Sequence, residues 1–101
     1  MKQVLQMGSQ TVPEIDEALL RKLLPPYKVI LHNDEHNSMD HVVKALLKSV
    51  PQLKKQAAIK IMMTAHEKGK AVVTACPREI AELYQARLLS FGLTCTIERD
   101  E

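Results

Sequence analysis

The sequence has no tryptophan, two tyrosines, one phenylalanine, three glycines and two cysteines. Each scarcity excludes a class of function. Tyr27, Tyr84 and Phe91 are the whole aromatic set, and no lysine- or arginine-rich run surrounds them, so there is no platform on which bases could stack. A formal net charge of +2 adds no electrostatic case for nucleic acid. There is no glycine-rich phosphate loop, no nucleophile elbow and no carboxylate pair at a useful spacing, so no enzyme is expected. Cys76 and Cys95 form no CxxC, and His32, His36 and His41 lack the tight pairing of a zinc motif. The thiols therefore read as reduced and buried, in a cytoplasmic or similarly reducing compartment, and neither metal nor cofactor is expected. No apolar run approaches the length of a membrane span, and Met1-Lys2-Gln3 is followed by no signal-peptide core, so no membrane partner is expected. What remains is 101 residues of mixed charge and ordinary apolar content, one small domain with a single core.

The chain is organised around residues 27–39, YKVILHNDEHNSM. Tyr27, Val29 and Leu31 alternate with Lys28, Ile30 and His32, and their β-branched and aromatic content predicts a strand. A polar run from Asn33 to Ser38 follows, rich in residues that bond their own backbone in turns and at helix N-termini. Polar turn chemistry at the mouth of an apolar element marks one wall of any site.

Residues 1–26 read as a flexible extension, in which Ile15, Leu19 and Leu23 recur at a spacing of four and Leu20 and Leu24 widen the stripe. This amphipathic segment is stopped by Pro25-Pro26, and the domain proper spans 27–101. After the first strand, Asn37 or Ser38 caps a helix with Met39, Val42, Val43, Leu46, Leu47 and Val50 on one face, ended by Pro51. A second helix is predicted from Leu53 to Lys68, with Ile59, Met62, Met63 and His66 on its stripe and Gly69 as its left-handed cap. Residues 71–75 predict a second strand. Pro77, at a first helical position, opens a third helix through Ile80, Leu83, Tyr84, Leu88 and Phe91, closed by Gly92. Residues 93–97 predict a third strand, and residues 98–101 a frayed end. The order β-α-α-β-α-β predicts an α+β domain, a three-stranded, mainly antiparallel sheet packed against three helices. A right-handed crossover from the second strand to the third leaves room for the first between them, which gives the order 2-1-3.

Asn33 and Asp34, at the end of the first strand, and His66, near the end of the second helix, together offer carboxylate, amide and imidazole acceptors. Such a trio suits a compact cation with several N–H donors, for example a peptide's free α-amino group. Residue types alone favour the plainer reading, a turn Asn-Asp and a helix-end histidine. Beside them Met39 and Val42 open one helix, Met62 and Ala65 approach the end of the next, and Leu93 begins the last strand. These form either an apolar hole beside the polar trio or simply core; for Val43, Leu46, Leu47, Ile59 and Met63, core is preferred.

YKVILHNDEHNSMDHVVKALL, then AHEKGKAVV, then CTIE closely resemble the ClpS family, small adaptors that deliver N-degron substrates to a Clp ATPase and its protease. The resemblance spans Pro26 to Glu98 and implies a noncatalytic adaptor with the fold just described. It implies that Asn33, Asp34 and His66 hold the substrate's α-amino group. It further implies that Asn37, Met39, Val42, Met62, Ala65 and Leu93 form a pocket for a first residue that is Leu, Phe, Tyr or Trp, with Met39 as a gate against β-branched residues. Docking on the N-terminal domain of a Clp AAA+ ATPase would involve Glu79 and Tyr84. The chain departs from the commonest pattern at His36 (often aromatic), Asn37 (usually threonine), Ser38 (commonly proline), Ala65 (usually valine) and Tyr84 (basic in the family). The alternative is a structural module similar to the C-terminal domain of the ribosomal stalk protein, whose fold is alike but which needs no amine clamp.

Overall fold

The computed structural model describes Asp16, Ala18, Leu19 and residues 23–100. The remainder of the predicted extension, including Ile15 and Leu20, lies outside the described residues. Leu19, Leu23 and Leu24 are exposed.

Strand β1 (Tyr27–His32) occupies the centre of the sheet, and both of its edges are paired. Strand β2 (Lys70–Cys76) runs antiparallel along one edge and strand β3 (Thr94–Arg99) antiparallel along the other, in the order β2-β1-β3. The expected order 2-1-3 is the observed one. Val29 and Leu31 are buried in the core cluster, whereas Ile30, one residue out of phase, is buried between its cross-strand partners Val72 and Thr96. The pairing with β2 slips between Val29, opposite Thr74, and Ile30, opposite Val72. Val73 is thus the extra residue of a β-bulge, turned into the core.

Helix α1 (Met39–Ser49) is capped by Ser38, whose Oγ accepts from the His41 N–H at 3.1 Å; Asp40 puts negative charge in the first turn. It ends at Val50, which Pro51 holds in an extended conformation (φ −124°, ψ 92°). Helix α2 (Lys55–Lys68) starts later than expected because Leu53 belongs to the turn, its N–H donating to the Val50 carbonyl. Its buried stripe also differs from the expected one. Ala58, Ile61, Met62 and Ala65 face inward, while Ile59 is 39% exposed and His66 is exposed. The reason is side-chain size: the small Ala58 and Ala65 let the helix lie close to the sheet. Gly69 (φ 94°) ends α2 and feeds directly into β2.

Helix α3 (Arg78–Ser90) begins one residue later than expected, with Pro77 as the capping residue rather than in the first turn. Ala81, Tyr84 and Leu88 are buried, and Ile80 and Leu83, two of the apolar residues that predict the helix, are exposed. A Schellman motif closes it: the Gly92 N–H donates to the Leu89 carbonyl and the Leu93 N–H to the Leu88 carbonyl, with Gly92 at φ 84°. The motif consumes Leu93, so β3 starts at Thr94. Residues 98 and 99, predicted to fray, instead pair with Lys28 and Tyr27, and Lys28 lies 3.6 Å from Glu98.

Candidate functional site

The polar run after β1 turns the chain over the ends of α2 and α3. Its first residue is anchored by the Asn33 N–H, which donates to the Gly69 carbonyl at 2.9 Å. That bond ties the exit of β1 to the turn three residues after His66. Asp34 organises the remainder. Its Oδ1 accepts from the backbone N–H groups of His36 (3.0 Å) and Asn37 (3.2 Å), and from Asn37 Nδ2 (3.0 Å). Its Oδ2 accepts from Asn37 Nδ2 (3.1 Å) and from Thr94 Oγ1 (3.1 Å). Burial pushes this carboxyl's pKa up, but the bonds from His36, Thr94 and Asn37 outweigh it and hold the group below its ordinary value. Asp34 is therefore ionised at neutral pH, with its lone pairs taken by the chain itself. What it offers a ligand is charge and a fixed loop.

Asn37 Nδ2 also donates to the Gly92 carbonyl at 3.0 Å, so one amide bridges the loop and the turn that closes α3. Between the elements so joined lies a cavity of about 390 Å³. Asn33, Asp34, Asn37 and His66 line it together with Met39, Val42, Met62, Ala65 and Leu93. Every residue expected at the amine end and in the side-chain pocket thus borders one space. Met62, Ala65 and Leu93 are buried in its wall, whereas Met39, on the first turn of α1, is 44% exposed, as a residue at the mouth would be. The volume is that of a small-ligand site, with both apolar and polar residues in its lining.

Residues 22–96 match the family model described as the ATP-dependent Clp protease adaptor protein ClpS. The chain belongs to the ClpS family. It is 41% identical over 95 residues to the ClpS adapter of Synechococcus elongatus, covering 94% of this chain and 100% of the relative. It is 47% identical over 94 residues to that of Prochlorococcus marinus, covering 93% and 90%. Among solved structures it is similar to Agrobacterium tumefaciens ClpS2 bound to L-phenylalaninamide: TM-score 0.70, 32% identity, 74% of this chain and 96% of that one. Proteins of the ClpS family are adaptors, and the chain is a noncatalytic one.

Four further residues of this ClpS cavity were missed in the sequence: Leu31, His32, Glu35 and Ser38. Glu35 matters most, because among the described residues it has no hydrogen bond or ion pair, in contrast to its neighbour Asp34. The signal available was a second carboxylate in the same loop. The two expected docking residues are not brought together. Glu79 is exposed in the first turn of α3, but Tyr84 is 8% exposed, and its hydroxyl donates to Gln52 Oε1 at 3.0 Å. Burial takes Tyr84 out of the open surface expected of it; five residues on from Glu79, it stands on a different face of the helix. Cys95 is buried and Cys76 half-buried; burial pushes the Cys95 thiol up to about 11 and raises that of Cys76 as well. Both are protonated at neutral pH, hence weak nucleophiles.

Proposed function

We propose that the cavity receives the first residue of a protein bearing an N-degron, and that the chain hands this cargo to a Clp AAA+ ATPase for unfolding and degradation. The free α-amino group sits among Asn33, Asp34 and His66, where the Asp34 charge is held ionised and the unpartnered Glu35 adds a second. A bulky first side chain, Leu, Phe, Tyr or Trp, occupies the space bounded by Asn37, Met39, Val42, Met62, Ala65 and Leu93. Met39 at the mouth acts as the gate. The observation that carries this reading is that one cavity joins carboxylates directly to an apolar wall. L-phenylalaninamide, bound by the Agrobacterium relative, has both a free amine and a bulky apolar side chain.

Burying a Leu or Phe side chain yields about 1.5 to 3 kcal/mol, and each hydrogen bond to a charged group about 1.5 to 3 kcal/mol. Set against an association cost of at least about 4 kcal/mol, one such side chain and three such bonds leave at most about 8 kcal/mol, so micromolar binding is the ceiling, suited to a carrier that must release its cargo. Docking on the N-terminal domain of the ATPase uses the exposed face of α3 around Glu79, and the extension, residues 1–26, engages the ATPase during delivery. The setting is cytoplasmic, or another compartment that keeps both thiols reduced.

The test is fluorescence anisotropy with peptides identical except for a first residue of Leu, Phe, Tyr, Trp, Ile or Met, each free and N-acetylated. Binding confined to free amines followed by a bulky residue is expected, because acetylation removes the charge and a donor. Equal binding of the acetylated set would refute the amine clamp.

A further inference from the structure

The turn that closes α3 is held from a distant part of the sequence. Leu93, its last member, is a wall of the cavity. The two carbonyls before it are both engaged by side chains at the entry of α1: Phe91 O by His41 Nε2 at 2.7 Å, and Gly92 O by Asn37 Nδ2 at 3.0 Å. A carbonyl can only accept, so Nε2 of His41 carries the hydrogen, in the neutral ring and in the imidazolium alike. Immediately after Leu93, Thr94 Oγ1 donates to Asp34. Leu93 is therefore fixed on both sides by side chains from residues 34–41.

His41 does not itself line the cavity. Its ring meets Phe91 edge-on, with centroids 6.4 Å apart and planes at 67°. Among the described residues no other group donates to the Phe91 carbonyl. In the first turn of α1, His41 lies between Met39 and Val42, which do line the cavity. It therefore connects the turn carrying Leu93 to the helix that carries the facing wall.

We propose that His41 is a positioning residue: through the Phe91 carbonyl it fixes the separation of Leu93 from the α1 wall, and so sets the preference among bulky first side chains. This rests on the reading that a first side chain occupies the cavity. With the donor removed, the turn keeps only its ties to Asn37 and Asp34 and loses the one to α1, so it shifts away from the helix, the cavity widens, and the largest side chains gain relative to the smallest.

The experiment is anisotropy with free and N-acetylated peptides beginning Leu, Phe and Trp, on the full chain and on His41→Phe and His41→Gln. Phenylalanine keeps a ring against Phe91 but has no donor, whereas the glutamine amide nitrogen can reach the same carbonyl. A neutral hydrogen bond corresponds to about a fivefold factor in an equilibrium constant, so His41→Phe should raise Trp over Leu binding by about that ratio. Acetylation should still abolish binding, and His41→Gln should restore the original ratio. An unchanged ranking in His41→Phe overturns the inference. So does an equal loss for all three peptides accompanied by a lower Tm, which would make His41 merely structural. If the unaltered chain binds none of the free peptides, the underlying reading of the cavity fails, and this inference with it.

Discussion

Thr94 Oγ1 donates to Asp34 Oδ2 at 3.1 Å, joining the loop after the central strand to the start of the last strand across 60 residues of sequence. Neither residue could hold the site alone. Asp34 gathers its own loop through His36 and Asn37, and Thr94 sets that loop against β3. Thr94→Val preserves shape and removes the donor. It should cost about 0.5 to 1.5 kcal/mol in chemical denaturation and weaken every free-amine peptide by a similar factor, leaving their ranking intact. A changed ranking would place Thr94 among the groups that read the side chain.

The pH dependence of stability follows from the same carboxylate. Its folded pKa lies below the ordinary value, so the native state binds the proton less tightly than the unfolded chain does. The stabilisation is fully present above the unfolded pKa of about 3.9 and is lost as pH falls through the folded value. The gap in unfolding free energy between the unaltered chain and Asp34→Asn should be constant from about pH 7 to pH 5 and shrink below about pH 4. A gap that held its size down to pH 3 would show that the bonds from His36, Asn37 and Thr94 do not depend on the charge.

Glu35 separates the charge of the site from its scaffold. It borders the cavity without a partner among the described residues, so Glu35→Gln should change stability by no more than about 0.5 kcal/mol. Peptide binding should nevertheless weaken, by an amount that falls as salt is added, since exposed charges are screened over about 10 Å at 0.1 M. Asp34→Asn should impair both stability and binding. Equal stability losses from the two changes would mean that Glu35 also supports the loop.

The order of elements and the position of the site were legible because β1, the polar run and the start of α1 are contiguous, and each carries a local signal: alternation, turn residues, a serine cap. The residues grouped Met39, Val42, Met62, Ala65 and Leu93 as either hole or core; the family resemblance added Asn37 and favoured the pocket, and the cavity is lined by all six. What stayed hidden depends on neighbours far apart in sequence. Asp34 reads as a free acceptor in the sequence, whereas Asn37 and Thr94 occupy it in the fold. Ile59 outranked Ala58 by hydrophobicity, yet closeness to the sheet selects the smaller residue. Tyr84 reads as a docking residue only through the resemblance, which places a basic residue at that position, and its burial beside Ala81 and Leu88 depends on the rotation of α3, which no local signal gives. Leu93 looked like strand, and only the Schellman motif shows it to be the end of a turn.

Met39 and Ala65 test the two ends of the apolar wall. Met39 is well exposed, so Met39→Ala should cost little stability while admitting Ile and Val as first residues. A uniform loss for all peptides would instead make it part of the core. Ala65 is buried where α2 borders the cavity. Ala65→Val fills space there, with an overpacking cost of about 1 to 3 kcal/mol if the neighbours cannot yield. Trp and Tyr peptides should weaken relative to Leu. If Trp held its place, Ala65 would not be what gives the cavity its depth.

The proposed docking face of α3 can be tested apart from the proposed cargo site. Glu79 is exposed in its first turn, with the exposed apolar residues Ile80 and Leu83 nearby. None of the three lines the cavity. Apolar residues flanked by a charge form the kind of patch that a partner covers. Glu79→Lys reverses that charge without touching the core, so stability should stay within about 0.5 kcal/mol of the unaltered chain, and anisotropy with a free Leu peptide should be unchanged. A pull-down with the N-terminal domain of a Clp ATPase should lose its partner. Retention of the ATPase would move the docking surface away from this face of α3, and loss of the peptide as well would show that the two surfaces are coupled through the helix.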